Sequence, residues 1–522
     1  MIEDYIKLFP KDDNNIALLR HSHPSGWKNP EPAPFYNLVV IGCGPAGLGA
    51  VKEAVKIGAK VAIVERGFLG GNYLVNGGIP MQCLARSLRN AGEMARAPRY
   101  GVTLMSDMKT DFSIGMERMR YLRSQAAERC SAEVLSKMGV DVFLGEALFT
   151  GKNVIEMDNK AIKFQKAIIA AGANPTFPAV DGLKEANPLV YTNIFNMTTL
   201  PKRTAIVGGG FAACEIAQLL SRFGSKVIMI MRSGILSHED AEVSAFVSEI
   251  LSKEGVTMLS GRLRRVHLEG GNKILIVDIT NGQKRIEADE IILATGTTPN
   301  ITGMGLEFAG VEYDKKDGIK VNFMLQTSNR NIYAAGDVCS GKRFGNFAAY
   351  TGEVAARNAL IPFWIEKASK DFISWTLNTD PPISSTGMTE KEAADGGIET
   401  ETYSIRLSEI DRALVDGDEN GFIMVHTNKK NNIIVGAVAG CNSAHELGAL
   451  FSVAIRRREK LRNFRKLLAP FSAYAAGISM VAKKVSLTRV EGFFKEMAQA
   501  WLQVQQNSAD KNIETDIPKE GK

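Results

Sequence analysis

Residues 38–66 read LVVIGCGPAGLGAVKEAVKIGAKVAIVER, and residues 204–232 read TAIVGGGFAACEIAQLLSRFGSKVIMIMR. In each, an apolar run enters a glycine turn, an amphipathic stretch follows, and a second apolar run ends on Arg66 or Arg232. That order is strand, turn, helix, strand. Gly42 matches Gly208, Gly44 matches Gly210, Gly58 matches Gly224 and Lys60 matches Lys226, each 166 residues apart with no gap. One βαβ unit is therefore present twice, which predicts two doubly wound α/β domains, each with a dinucleotide site.

The residue types suit that chemistry. Gly42 permits a tight turn, and Gly44 lets the backbone approach a pyrophosphate. Pro45, Ala46 and Gly47 open a helix whose free N–H groups and dipole favour an anion. Glu65, at the end of the second strand, can accept hydrogen bonds from a ribose. A ligand-free glycine turn is the bland alternative, and the strand–helix context weighs against it. The second copy departs at two points. Ala213 stands at the third glycine position, and Met231 stands where the first copy has Glu65. No carboxylate is left to repel a 2′-phosphate, and Arg232 can pair with one. NADPH is expected there ahead of NADH; a solvated surface arginine is the competing reading.

Composition sets the outer bounds. A chain of 522 residues predicts more than one domain, and 45% hydrophobic with 23% charged residues is ordinary for a soluble protein. A net charge of +6 is modest for this length and does not by itself call for nucleic acid, which needs clustered charge. No apolar run is long enough to span a bilayer, and the acidic start MIEDYIKLFPKDDNN lacks the apolar core of a signal peptide. Six cysteines form no CxxC or CxxxxC pair, which suits a reducing cytoplasm. The six histidines are scattered, and His21-x-His23 offers too few ligands for a metal site.

The chain divides into an N-terminal extension (1–35), a first nucleotide domain (36–165), a second (166–290), a central segment (291–365), an α+β domain (370–486), and a helix with a flexible polar tail (487–522). The extension is expected to pack on the first domain or be tethered to it. KAIIAAGANP, EIILATGTTPN and NIYAAGDV each run an apolar strand into a glycine turn. GFIMVHTNKKNNIIVGAVAG reads as a hairpin around NKKNN, and AHELGALFSVAIRRREKLRNF (444–464) as an amphipathic helix.

The two fingerprints, ATGTTPN and NIYAAGDV, in that order, resemble the pyridine nucleotide–disulfide oxidoreductases, in the lipoamide dehydrogenase and mercuric-reductase-like branch. The resemblance runs from about Tyr36 to Val485. It implies a three-layer α/β fold with FAD and NAD(P) domains and a C-terminal α+β dimerisation domain. It also implies FAD in the first site, with Gly336 and Asp337 reaching the ribityl chain and the Glu146-Ala147 backbone meeting adenine. Ala171, Gly172 and Gly296 fall in the family's glycine turns, and a homodimer through the C-terminal domain is implied. In such enzymes a hydride passes from NAD(P)H to flavin and on to a disulfide.

Against that pattern, residues 70–83, GGNYLVNGGIPMQC, stand out. The family sequence is GGTCLNVGCIPSK. Gly70, Gly71 and the following position, Asn72, still belong to the flavin bed. The cysteine positions hold Tyr73 and Gly78, and the flavin-side lysine is Gln82. Its glutamate partner survives as Glu215. In APFSAYAA (469–476) the family's histidine and glutamate positions hold Phe471 and Ala476, which cannot exchange a proton near neutral pH. A thiolate is needed to attack a disulfide or bind a soft metal. The expected activity is therefore an FAD-dependent NAD(P)H oxidoreductase that passes electrons to a non-disulfide acceptor, a quinone or an electron-transfer partner. A catalytically idle flavoprotein scaffold is the alternative. A disulfide or metal reductase using Cys83 comes last, because Cys83 reads better as a core thiol. Catalytic residues stay unassigned. Tyr73 reads equally as a ring near the flavin or as a filler for the lost disulfide, and Asn346 as a flavin neighbour or a helix-start residue. The run RRREKLRNFRK (456–466) carries seven basic residues and one acid; a solvated face is expected, with an acidic partner or membrane surface as the alternative.

Overall fold

A computed structural model of the chain describes residues 8–103, 109–485 and 489–515. Strand Tyr36–Ile41 lies parallel to Val61–Glu65 on one side and Lys160–Ile169 on the other, in the register Leu38↔Val61 and Val39↔Ala167. Val140–Leu144 extends the sheet beyond Val61–Glu65, and Ile332–Ala334 adds in parallel to Lys160–Ile169. The central segment thus returns to the first sheet. Over residues 38–41, 61–64 and 167–169 these strands are wholly apolar, because both sheet faces are covered there. Helices Pro45–Lys56 and Gly345–Leu360 meet backbone to backbone over one face: a Cβ at Gly352 would stand 1.9 Å from the Ala46 carbonyl oxygen.

The duplicate unit forms a second parallel sheet, in the order Thr257–Ser260, Lys226–Met231, Arg203–Val207, Glu290–Leu293 and Leu189–Val190. An antiparallel sheet of Arg262–Glu269, Asn272–Ile279 and Gly282–Ala288 accompanies it. Strands Lys160–Ile169 and Glu290–Leu293 straddle the divisions read from sequence at 165/166 and 290/291. The last domain is an antiparallel sheet on which helix Ala444–Arg456 packs, and the hairpin Phe422–Asn428 with Ile434–Gly440 forms as read.

Two sequence readings need correction. The helix expected over 444–464 stops at Arg456. Arg458 adopts φ +55°, and the chain turns to pair with the hairpin: Ile434 N donates to Glu459 O at 2.9 Å and Leu461 N to Asn432 O at 3.0 Å. The basic run is therefore a turn and a short 3₁₀ helix, Leu461–Lys466. The polar tail expected to be flexible is helical up to Thr515, as part of helix Arg489–Thr515, and residues 516–522 lie outside the described residues.

The N-terminal extension packs on the first domain. Helix Asp13–Ser22 is capped by Asp12, whose other carboxylate oxygen pairs with Arg120 at 2.6 Å. Arg123, fully buried, donates to Val75 O at 2.9 Å and to Asn15 Oδ1 at 2.7 Å. Trp27 Nε1 donates to Val142 O at 3.1 Å. Leu18 joins Phe68, Leu74 and Val75 in one apolar cluster, so the extension buttresses the segment that carries Tyr73.

Candidate dinucleotide cleft

The carboxyl ends of the first parallel sheet open into a cleft of about 1870 Å³, well above the ~300–1,000 Å³ of an ordinary ligand pocket. Gly42, Gly44, Pro45, Ala46, Glu65, Arg66, Gly71 and Asn72 line it, with Ala147, Ala171, Gly172, Gly336 and Asp337. Glu146, Tyr73, Gly78 and Glu215 line it too. Gly47 and Gly70 stand behind the surface: a Cβ on Gly47 would sit 1.9 Å from Gly42 O, and Gly70, at φ +96°, faces Leu74. Both serve close packing of the turn.

The residues present fit a dinucleotide. Gly44 precedes helix Pro45–Lys56, and a Cβ there would meet no atom within 4 Å, so the helix N-terminus opens on free space. Glu65 accepts from Cys43 N at 2.6 Å and from Gly67 N at 2.7 Å. A carboxylate has about four acceptor positions, so two remain for ribose hydroxyls. Asp337 has no hydrogen-bond partner among the described residues. Burial pushes its carboxyl up to about 6, with Arg343 pulling the other way. A half-buried carboxylate lining a cleft without a donor suits a hydroxylated chain. Asn72 Nδ2 donates to Tyr191 Oη at 3.2 Å and to Ala173 O at 3.3 Å, and Tyr191 in turn donates to Ala173 O at 2.8 Å.

The second turn borders this cleft: Phe211 and Ala212, which open its helix, line it, while Gly208, Gly210 and Ala213 do not. Gly208 holds φ +136° with Ala294 O 2.2 Å from where a Cβ would be, Gly210 opens on free space, and Ala213 is fully buried. Met231 is buried beneath the turn, and Arg232, beyond the strand end, is exposed. Gly296, at φ +91°, also lies off the large cleft.

The Tyr73 ring fits between two glycines. A Cβ on Gly78 would stand 2.3 Å from its Cε2, and one on Gly345 would stand 2.7 Å from its Cδ2. The tyrosine hydroxyl has no partner among the described residues. Beyond Gly345 the wall continues as aromatic rings: Phe344 meets Phe211 edge-on at 5.9 Å and stacks on Trp375 at 5.3 Å, with Lys342 Nζ 4.5 Å above Trp375. Gln82 is exposed. Glu215 instead accepts from Asn378 N at 2.7 Å and Asn378 Nδ2 at 2.9 Å, and Asn378 Oδ1 meets His445 Nε2 at 3.1 Å. Burial raises the Glu215 carboxyl, and the two hydrogen bonds from Asn378 oppose that rise. The sequence reading missed Asn378 and His445; 163 residues separate Asn378 from Glu215, and no local motif marks it.

Asn346 is a helix-start residue that reaches Ser374 O at 2.6 Å and is not among the cleft residues. Phe471, 94% exposed, and Ala476 are also away from the cleft. All six cysteines are free, and burial raises each thiol. Cys83 is only half-buried, and Arg118 and Arg123 offset part of the rise. Among the described residues no cluster of three His, Cys, Asp or Glu is placed to hold a metal, and no helix is long and apolar enough to cross a membrane.

Tandem dinucleotide folds, an antiparallel third domain and a cleft at the strand ends define the two-nucleotide oxidoreductase class. The chain belongs to the pyridine nucleotide-disulphide oxidoreductase family: residues 36–358 match that family and residues 373–476 match its dimerisation domain. It is 30% identical to a mercuric reductase of Staphylococcus aureus over 449 residues, 86% of this chain and 82% of that one. It is 28% identical to a dihydrolipoyl dehydrogenase of Geobacillus stearothermophilus over 424 residues, 79% and 88% of the two chains. Among solved structures it resembles an HOCl-induced flavoprotein disulfide reductase of Escherichia coli (TM-score 0.76, 23% identity, 86% of this chain and all of that one). It likewise resembles LpdA of Mycobacterium tuberculosis (TM-score 0.78, 22% identity, with the same coverage). FAD and NAD(P)H are typical of the family.

Proposed function

We propose that this chain is an FAD-dependent NAD(P)H oxidoreductase that delivers electrons to a non-disulfide acceptor, a quinone or an electron-transfer partner. The observation that carries this reading is the Tyr73–Gly78 contact. The two positions where the family sequence has its redox cysteines hold a phenol ring and the glycine that makes room for it. No thiolate is available there, so sulfur exchange has no nucleophile.

Gly44, Pro45 and Ala46 would hold the FAD pyrophosphate, Glu65 its ribose and Asp337 its ribityl chain. Gly208, Gly210 and Ala213 would hold the nicotinamide nucleotide, with Arg232 favouring the 2′-phosphate of NADPH. Bound flavin would supply hydride acceptance and electron release without a protein sulfur. Glu215, held by Asn378, keeps a polar group on the cleft wall where Gln82 does not reach. Isolated thiols suit a reducing cytoplasm. The match to the dimerisation domain, with Leu468 95% and Phe471 94% exposed, supports a homodimer.

The test is an anaerobic titration with NADPH and NADH, followed by flavin absorbance and then by turnover on a quinone. Bleaching without a thiolate–flavin charge-transfer band, and stronger with NADPH, is the expected result. A bound flavin that neither nucleotide reduces would establish the second reading, an idle flavoprotein, which the loss of proton-exchanging groups at Gln82, Phe471 and Ala476 favours. Loss of turnover in Cys83→Ser would restore a sulfur mechanism.

A further inference from the structure

In helix Arg489–Thr515 the described side chains, residues 493–507, take no part in the core of the fold. Every residue from 493 to 507 is exposed, among them Phe493, Phe494, Met497, Trp501, Leu502 and Val504. At ~100° per residue, Phe493, Val504, Met497, Trp501 and Phe494 fall within an arc of about 100°. Gln499, Gln503, Gln506, Lys495 and Glu496 occupy the other side, and the two charges cancel. This is a broad apolar face, not the narrow seam of a coiled coil. Its margins, Ala498 and Ala500, carry no charge that could set the register of a second helix.

Positive charge is concentrated on the segments that lead along the chain into this helix. Arg457, Arg458 and Lys466 are exposed and make no ion pair among the described residues. The segment Leu461–Lys466 packs on helix Ala476–Lys483, with Ser479 Oγ donating to Arg465 O at 3.3 Å. That helix ends in exposed Lys483, shortly before Arg489, while Lys484 pairs with Glu409 at 3.8 Å.

We infer that this helix lies flat on an anionic lipid surface, with its Phe-Met-Trp-Val face in the acyl boundary and the basic residues that precede it in the chain facing the headgroups. An apolar helix face and a polybasic patch are the two signals that stable peripheral attachment requires; either alone is marginal. The aromatic content fits the headgroup boundary. The helix is not apolar enough to span. The inference goes beyond the redox reading and does not depend on which acceptor is used.

The test is co-sedimentation of the full-length flavoprotein with vesicles, either pure phosphatidylcholine or an equal mixture of phosphatidylcholine and phosphatidylglycerol, at low and high salt. Binding to the mixed vesicles alone, weakened by salt, is expected. The pair Phe494→Ser, Trp501→Ser should lower partitioning by about tenfold or more, from lost apolar burial. The triple Arg457→Gln, Arg458→Gln, Lys466→Gln should lower it by at least about tenfold on mixed vesicles. Flavin bleaching by NADPH should be the same in all variants, which separates a failure of docking from a failure of the redox reading. Absence of vesicle binding, or binding indifferent to the helix variants, overturns the inference. So does a lipid-free rise in mass by sedimentation velocity that the helix variants abolish, because it would assign the face to a second copy of the chain.

Discussion

Tyr73 and Gly78 interlock: the ring edge of the tyrosine occupies the space that any side chain at residue 78 would need. The glycine has an ordinary negative φ, so the constraint is contact and not backbone conformation. Gly78→Ala should therefore overpack the site and destabilise the protein by about 1–3 kcal/mol. Adding Tyr73→Ala should recover most of that loss. A double-mutant cycle by chemical denaturation would measure the coupling; additive effects would mean that the ring moves aside freely.

Asn378 holds Glu215 through two hydrogen bonds to one carboxylate oxygen. Asn378→Ala leaves the backbone donor and removes the amide. Hydrogen bonds to the charged form lower a carboxyl pKa, so this loss raises Glu215 further. A carboxyl raised in the folded state destabilises as it ionises, so the stability gap between variant and wild type should widen as pH rises. At high pH the gap should approach about 1–3 kcal/mol, the cost of an unsatisfied buried group. A gap constant across pH would show that ionised Glu215 does not rely on Asn378.

Glu239 makes a similar argument at a domain junction. It sits beneath Ser385 Oγ, which donates to it at 2.9 Å, beside Asp240 and its buried partner His426. Burial pushes its carboxyl up to about 7, above the unfolded value of 4.5. The folded state then binds the extra proton, so stability is greatest below the unfolded value and falls as pH rises through about 7. Glu239→Gln keeps an acceptor for Ser385 and cannot ionise. Melting curves at several pH values should show wild type losing stability from about pH 4.5 to 7, then levelling, and the variant losing less. Parallel curves would assign the pH dependence to other groups.

The fold was legible in the sequence because a duplicated βαβ unit fixes strand order, helix placement and the cleft at the strand ends. Gly42, Gly44, Glu65 and Asp337 reach the cleft because motifs carry backbone geometry within a few residues. Asn378, His445 and the ring slot at Gly345 were not legible. Asn378 and His445 meet Glu215 only when the third domain packs against the second, and Gly345 reaches the Tyr73 ring only when the central segment returns to the first domain. The end of helix Ala444–Arg456 was misread for a related reason: its basic run continues the helical charge pattern, but pairing with the hairpin at Asn432 and Ile434 takes the backbone away.

Arg232 offers the sharpest test of coenzyme choice. It is exposed beyond the strand end, while Met231, at the position of the first copy's Glu65, is buried and presents no carboxylate. If Arg232 pairs with a 2′-phosphate, one charge-assisted hydrogen bond contributes about 1.5–3 kcal/mol. Arg232→Gln should then raise the KM for NADPH at least about tenfold and leave that for NADH unchanged. Met231→Glu should shift the preference further toward NADH, provided the buried methionine can turn outward to let a carboxylate reach the ribose. Steady-state kinetics with both nucleotides, with ferricyanide as a neutral choice of acceptor, would read the ratio directly. Equal effects on both nucleotides would mean that Arg232 steers charge in general and does not recognise the phosphate.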